Sequence, residues 1–432
     1  MTFSTGSFPR VSWANNTIIY EVNVRQYSAE GTFNAFVKEL PRLKEMGIET
    51  LWFMPITPIA ALHKKGSMGS PYACSSYTDI NPEFGNLADF KNIVGSAHAI
   101  GLKVIIDWVA NHTGWDHQWT TEHPDFFKHD EASGTFRMAS GMDDIIELNY
   151  DNPAMRQAMI DAMRYWVTEC NIDGFRCDLA SWVVVDFWLQ ARTELEKTKN
   201  LFWLAEMDPI ENPDYMQVFD AAYTWKWMHA TEDFYKKNLP LNTLTNLLTE
   251  YANVPANKPL NLWFTSNHDE NSWNGTEYEK YGGMALALAV HSFTWEGIPL
   301  LYSGQELPNH KRLPFFEKGA IDWNGFYLMA DFYRKLIALR KNNPALQFAG
   351  SETRMVTPAD VSSHAVIYLR ENGSNAILVL LNFSSHILDL TLNAGISMGS
   401  FINLFDNNDS RDFTTQASFQ MQPWQFLVYT KV

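Results

Sequence analysis

Short β-like runs alternate with longer helical patterns along most of this chain, and that alternation is the sequence form of a parallel sheet covered by helices. The runs fall at residues 18–24, 50–54, 103–107, 174–178, 202–206, 219–223, 262–265 and 299–302, with helical patterns such as 33–46 and 87–100 between them. Eight such units predict a closed (β/α)8 TIM barrel, since an open doubly wound sheet of this length would use fewer strands. Two stretches break the rhythm. Residues 113–149 are rich in His, Asp, Gly and Trp and show no sustained period, which reads as a long insertion on the loop after the third strand. Beyond about residue 348, runs at 365–370 and 376–383 separated by Asn-Gly and Ser-rich turns predict a C-terminal antiparallel β-sandwich. The expected organisation is a barrel over 1–112 and 150–346, an insertion over 113–149 and an all-β domain over 347–432. A chain of 432 residues is too long for one core, which suits this division.

Charge narrows the partners. With 33 basic and 49 acidic residues the net charge is −16, and no basic cluster is dense enough to track a phosphate backbone or an anionic membrane. The most apolar stretch, 284–302, is interrupted by His291, Glu296 and Pro299, so no membrane span is expected. The first residues lack a cationic region followed by an apolar one, and Cys74, Cys170 and Cys177 are too few for a disulfide framework. A cytoplasmic protein is expected, or an exported one from which a leader has been removed.

Chemistry-bearing residues gather at the predicted C-terminal ends of the strands, the face on which barrel enzymes build their sites. The third run ends in Asp107 and continues to Asn111 and His112; the fourth carries Arg176 and Asp178; the fifth ends in Glu206; the seventh leads into His268 and Asp269. Any one of these acids is explained equally well as a helix cap, but four converging strand ends are not. Carboxyls sharing a cavity cannot all ionise normally, and glycosidic bond cleavage needs that split between a proton donor and an ionised partner. Arg176, two residues before Asp178 on a strand, faces the same way and is expected to hold Asp178 ionised. His112, His117 and His123 lack the tight spacing of a metal site.

The segments Asp107-Trp-Val-Ala-Asn-His112, Gly174-Phe-Arg-Cys-Asp178, Ala205-Glu206 and Phe264-Thr-Ser-Asn-His-Asp269 resemble, in order, the four short motifs of the α-amylase family of retaining glycoside hydrolases. The stretches 297–306 and 70–85 resemble that family's eighth-strand segment and second-strand loop, so the resemblance spans essentially the whole chain. It implies Asp178 as nucleophile, Glu206 as general acid and base, and Asp269 as a grip on the distorted sugar. It implies His112, His268 and Tyr72 as contacts to that sugar, Arg176 as the residue orienting Asp178, Asp107 as a supporting residue, and Trp182 in the subsites that receive the leaving chain.

Departures from the family pattern matter too. Calcium-holding relatives pair an Asn in the first motif with an acid in the insertion and a His four residues after the nucleophile. Here Asn111 and Glu147 are present but the last position is Trp182, so no cofactor is required and calcium becomes a weakened expectation. Residues 68–71 (Met-Gly-Ser-Pro) lack the acid that caps the non-reducing end in exo-acting relatives, which predicts an open cleft. The resulting expectation is endo-cleavage of α-1,4 bonds in a starch-like α-glucan or maltooligosaccharide. The alternatives are a 4-α-glucanotransferase, a cyclomaltodextrinase- or neopullulanase-like enzyme, and a non-catalytic glucan-binding barrel, which would need none of the three carboxylates. Oligomeric state is left open.

Overall fold

The computed structural model describes residues 8–254, 259–357, 364–397 and 399–432. Each of the eight expected runs forms a strand: Ile19–Val22, Thr50–Phe53, Lys103–Trp108, Gly174–Cys177, Phe202–Ala205, Ala221–Tyr223, Leu260–Trp263 and Ile298–Tyr302. They pair in parallel into a closed barrel in which each strand lies beside its sequence neighbours and the eighth closes on the first. Alternate residues point inward. Ile19, Trp52, Ile105, Leu204, Leu262 and Leu300 fill one apolar cluster inside the barrel, while their neighbours Tyr20, Leu51, Val104, Trp203, Trp263 and Leu301 join the larger cluster under the helices. This parity decides the site. Two residues beyond the inward Ile19, Ile105 and Leu204 come Glu21, Asp107 and Glu206, so the same alternation that fills the barrel delivers carboxylates to its upper end.

Local sequence sets the departures. The expected helix over 33–46 is three pieces, Phe33–Phe36, a tight turn Val37–Glu39 and Leu40–Met46, because Pro41 has no N–H to continue an earlier helix and instead occupies a first turn. The first strand ends before Val24, where the Asn23 side chain accepts from the Gln26 N–H at 3.3 Å and starts a helical turn. Between the third strand and the helix Pro153–Cys170, His112–Gly114 pairs antiparallel with Ile145–Glu147, so His112 is anchored in a two-stranded ribbon above the barrel.

Towards the C-terminus, Glu352–Met355, Ala365–Asn372, Asn375–Asn382, Phe426–Lys431, Ser400–Asn403 and Asp406–Asp412 form a six-stranded antiparallel sheet, and Leu388–Leu392 pairs with Ala417–Met421. Its central strands are buried on both faces. Ile367, Leu369, Leu378 and Leu380 face the Leu390–Met421 side, whereas Val366, Tyr368, Ile377 and Val379 belong to the core shared with the barrel helices. Two buried arginines meet at this joint: Arg340, on the barrel helix Ala330–Asn342, donates to the carbonyls of Phe293 (3.0 Å), Trp295 (3.3 Å) and Gly297, and Arg370, on the C-terminal sheet, crosses to donate to that of Thr294 at 3.2 Å. They satisfy the orphan carbonyls at the end of helix Ala285–Thr294 and oppose its negative pole.

The expectation about a leader concerns residues 1–13, of which 1–7 lie outside the described residues. Among the described residues no helix is long and apolar enough to cross a membrane, and all three cysteines are buried and free.

Gly174 opens the fourth strand, where a Cβ would lie 2.1 Å from the carbonyl oxygen of Phe202 on the fifth. The strands carrying Asp178 and Glu206 therefore approach as closely as they do only because position 174 has no side chain. Gly174→Ala is expected to cost at least about 1–3 kcal/mol in urea unfolding, as overpacking does. Unchanged stability would show that the two strands separate freely.

Candidate active site

At the upper end of the barrel the guanidinium of Arg176, fully buried, is enclosed by acids. Its Nη1 lies 2.8 Å from Asp107 Oδ1 and 2.9 Å from Asp178 Oδ1, and its Nη2 lies 2.9 Å from Glu206 Oε2. The first two contacts are aligned hydrogen bonds; the third is a charge contact in which Nη2 makes no hydrogen bond. Arg176 Nε donates to the Tyr223 hydroxyl at 3.2 Å, and the guanidinium lies 5.0 Å from the Trp52 ring, so three acids and an aromatic wall fix its plane.

Asp178 follows the fourth strand, and its N–H donates to the Trp108 carbonyl at 3.0 Å. Its second oxygen, Oδ2, is buried without a hydrogen-bond partner. Leu179 then adopts a left-handed backbone (φ 41°), an unfavourable conformation for a branched side chain, and in that turn its N–H donates to Glu206 Oε2 at 2.8 Å. Strain at one residue thus orients the second carboxyl.

A second network stands beside the first. The His268 Nδ1 is 2.5 Å from Glu21 Oε1, and its Nε2 is 2.7 Å from the Tyr72 hydroxyl and 3.2 Å from Asp269 Oδ2. The Tyr72 hydroxyl donates to Asp107 Oδ2 at 2.9 Å, which joins this network to Arg176. Burial alone would lower the His268 pKa, but the Asp269 and Glu21 carboxylates outweigh it and hold the imidazole charged, well above its usual range. Asp269, although burial works the other way, is held below the usual carboxylate range by His268 and Arg176. Burial and the neighbouring Glu206 push Asp178 well up, against the pull of Arg176. Arg176 pulls Asp178 in the direction expected from the sequence, but its one guanidinium is shared among three acids.

Asp178, Glu206, Asp269, Tyr72, His112 and Trp182 line one cavity of about 460 Å³, within the range of small-ligand sites. A scan against protein-family models matches residues 8–126 and 123–313 to the α-amylase catalytic domain. This chain belongs to the α-amylase family. Relatives named α-amylase, cyclomaltodextrinase and maltogenic α-amylase are glycoside hydrolases, and the fold agrees. A noncanonic maltogenic α-amylase, AmyB from Thermotoga neapolitana, superposes with a TM-score of 0.87 at 31% identity, covering 97% of this chain and 99% of that one. Alpha-amylase 2 of Dictyoglomus thermophilum is 24% identical over 94% of this chain and 75% of its own length, and a cyclomaltodextrinase of Thermoanaerobacter pseudethanolicus is 24% identical over 86% and 71%. The matches to two further α-amylase relatives cover 58% and 64% of those proteins' length.

Behind the lining residues, the side chains of Arg176 and Asp107, expected to orient Asp178 and to support the site, are 0% exposed, and that of His268, expected as a sugar contact, is 2% exposed. Burial pushes His112 down to about 4, which leaves it a neutral imidazole at the wall. His117 accepts from the Trp119 N–H at 3.1 Å among aromatic rings, and among the described residues no group of three ligating side chains could hold a metal ion. Glu147 is already neutralised, with Lys128 Nζ and Arg137 Nη2 each 2.7 Å from its oxygens, and the Asn111 amide contacts His112 Nδ1 at 3.3 Å. That pair does not fit a bound calcium ion.

Sequence reasoning missed several lining residues. Residues 68–71 supply no acid, but Lys65 and Asp144 reach the cavity, as do Trp273, Phe315 and Phe316. Glu21 carried a readable signal, an acid at an inward position of an otherwise apolar strand. The others sit on loops with no period to expose them.

His268, held charged above an unfolded value of about 6.5, contributes stability that is fully present below that value and is lost as pH rises through its raised folded value. His268→Gln is expected to cost about 3 kcal/mol or more in urea unfolding at pH 6, because it leaves Glu21 buried without its cation, and to cost less in alkaline solution. A difference independent of pH would show that His268 is neutral.

Proposed function

We propose that this α-amylase-family enzyme is a retaining hydrolase of α-1,4-linked glucans, with Asp178 as nucleophile and Glu206 as acid and base. The observation that carries the reading is the placement of Asp178 and Glu206 against one guanidinium at one cavity, with Asp178 Oδ2 left without a hydrogen-bond partner. A retaining mechanism needs one of two such carboxyls ionised and the other protonated. Arg176 makes its aligned hydrogen bond to Asp178 and only an unaligned contact to Glu206, which favours the arrangement with the proton on Glu206.

In the first step Asp178 Oδ2 bonds to the anomeric carbon, the bond from that carbon to the leaving oxygen breaks, and the Glu206 proton passes to that oxygen. In the second step Glu206 takes a proton from water, whose oxygen displaces Asp178. Asp269, ionised beside His268 and a third exposed, accepts hydroxyl groups of the reacting sugar; the neutral His112 and the Tyr72 ring complete its binding wall. Trp182, 45% exposed next to Leu179, offers the leaving-chain side an apolar platform that could also hold an acceptor sugar, so transfer to sugar is a secondary outcome of the same intermediate. The relatives named above for amylase and cyclomaltodextrinase activities support a glucan as the substrate class.

Asp178→Ala is expected to reduce kcat on maltoheptaose by a thousandfold or more, about 4 kcal/mol of barrier, with folding unchanged by circular dichroism. Retention of more than about a tenth of the activity, a loss below about 1.4 kcal/mol, would remove Asp178 as nucleophile. Glu206→Gln should lose activity on maltoheptaose and regain its first step on a glycosyl fluoride, whose leaving group needs no proton. Because Lys128 and Arg137 neutralise Glu147, chelation with EDTA should leave both the thermal midpoint and the rate unchanged; a lowered midpoint restored by calcium would place the ion elsewhere.

A further inference from the structure

The loop that delivers Tyr72 is fastened on two sides. Towards the insertion, the N–H groups of Ala61 and Leu62 donate to Asp116 Oδ2 at 2.9 and 3.2 Å, and the rings of His63 and Trp115 lie 5.0 Å apart. Lys65 Nζ stands 2.9 Å from both Asp143 Oδ1 and Asp144 Oδ1. Towards the segment after the eighth strand, the Met68 N–H donates to the Phe316 carbonyl at 3.1 Å and the Ser67 N–H to Glu317 Oε1 at 2.9 Å. At the crossing Gly66 has φ 61°, and a Cβ there would lie 2.6 Å from Phe316 Cβ. Arg25 holds the far end by donating to the Gly69 carbonyl at 3.0 Å. The loop is therefore a bridge between two walls of the cleft, stiffened by contacts on each.

Lys65, Asp144 and Phe316 line the same cavity as Asp178 and Glu206. Their position relative to the reaction follows from which residues they adjoin. Tyr72 continues from this loop, with its N–H on Ser70 Oγ at 3.1 Å and its ring 6.0 Å from that of Phe315. Leu179, by contrast, binds the proton donor Glu206, so the leaving chain departs on the Leu179–Trp182 side and the retained sugar lies on the Tyr72 side. Asp144 is nearly buried and Lys65 about a third exposed. The pair presents an ammonium donor and carboxylate acceptors, a set that matches the hydroxyl groups at the end of a neutral sugar chain.

We propose that the bridge of Lys65 with Asp143 and Asp144 closes the cleft beyond the sugar held at Tyr72, so that the enzyme engages the non-reducing end of a maltooligosaccharide and releases short products. The inference rests on the proposed function, which assigns the two sides of the cleft. It replaces the open cleft expected from residues 68–71: the acid absent before Tyr72 is brought in by the insertion and held there by Lys65.

The test uses maltoheptaose labelled at its reducing end, free or blocked at the terminal 4- and 6-hydroxyls of its non-reducing end. It compares wild type, Lys65→Ala, Asp144→Asn and the conservative Lys65→Arg. Wild type should trim the free substrate to one class of short product and cut the blocked one at least tenfold more slowly. Lys65→Ala should gain about tenfold on the blocked substrate and release longer fragments, Asp144→Asn should do the same to a lesser degree, and Lys65→Arg should resemble wild type. Equal rates of wild type on both substrates, or an active Lys65→Ala with the wild-type product pattern, would overturn the bridge while leaving the hydrolase reading intact. No cleavage of either substrate by any of the proteins would overturn the hydrolase reading and the bridge with it.

Discussion

A single buried guanidinium organises this molecule's chemistry. Arg176 has no water to solvate it, so its charge must be met by protein, and Asp107, Asp178 and Glu206 meet it from three neighbouring strand ends. Three carboxyls around one cation leave negative charge in excess, which the barrel interior would resist. Part of that excess is met by a second cation, the charged His268, which stands between Glu21 and Asp269 with Tyr72 linking the two centres. Removing Arg176 would therefore do more than free one acid, since every carboxyl it touches would then be buried unpaired.

The same balance separates acid roles that composition alone makes identical. Glu21 is buried and pushed up, Asp269 is pulled down by His268, and Asp178 is pushed up by burial and Glu206. These directions come from position, not residue type, and position comes from the barrel's period-two alternation. A carboxylate one residue earlier or later on any of these strands would point under a helix, where it would have no guanidinium to meet.

That alternation explains what could be read in the sequence. Strand runs ending in acids were legible because both the apolar filling and the polar ends obey one period, and Asp107, Asp178 and Glu206 were found for that reason; Asp269, beyond the strand Leu260–Trp263, was found through its motif. The helix expected over 33–46 was not, since its apolar spacing continues through Pro41 while its backbone cannot. The central C-terminal strands hid their second buried face because Val366 and Ile367, or Leu380 and Leu381, are apolar on both sides, so no alternation distinguished a sheet facing solvent from one packed on the barrel. Arg176, Asp107 and His268 were legible as site residues, while the depth at which they lie was not, since a motif gives identity without depth.

Residues on loops were the least legible. Lys65 and Asp144 are about eighty residues apart and share no pattern; their meeting depends on how the ribbon His112–Gly114/Ile145–Glu147 sets the insertion over the second-strand loop. Gly114 shows how close that approach is, for a Cβ there would lie 2.1 Å from Ala60 Cβ. The strand ends decide what bond chemistry is available, because they fix the carboxyls against Arg176. How much of a chain reaches those carboxyls is decided by the loops above, where one lysine and two aspartates can change the length of the cleft without altering any residue that reacts.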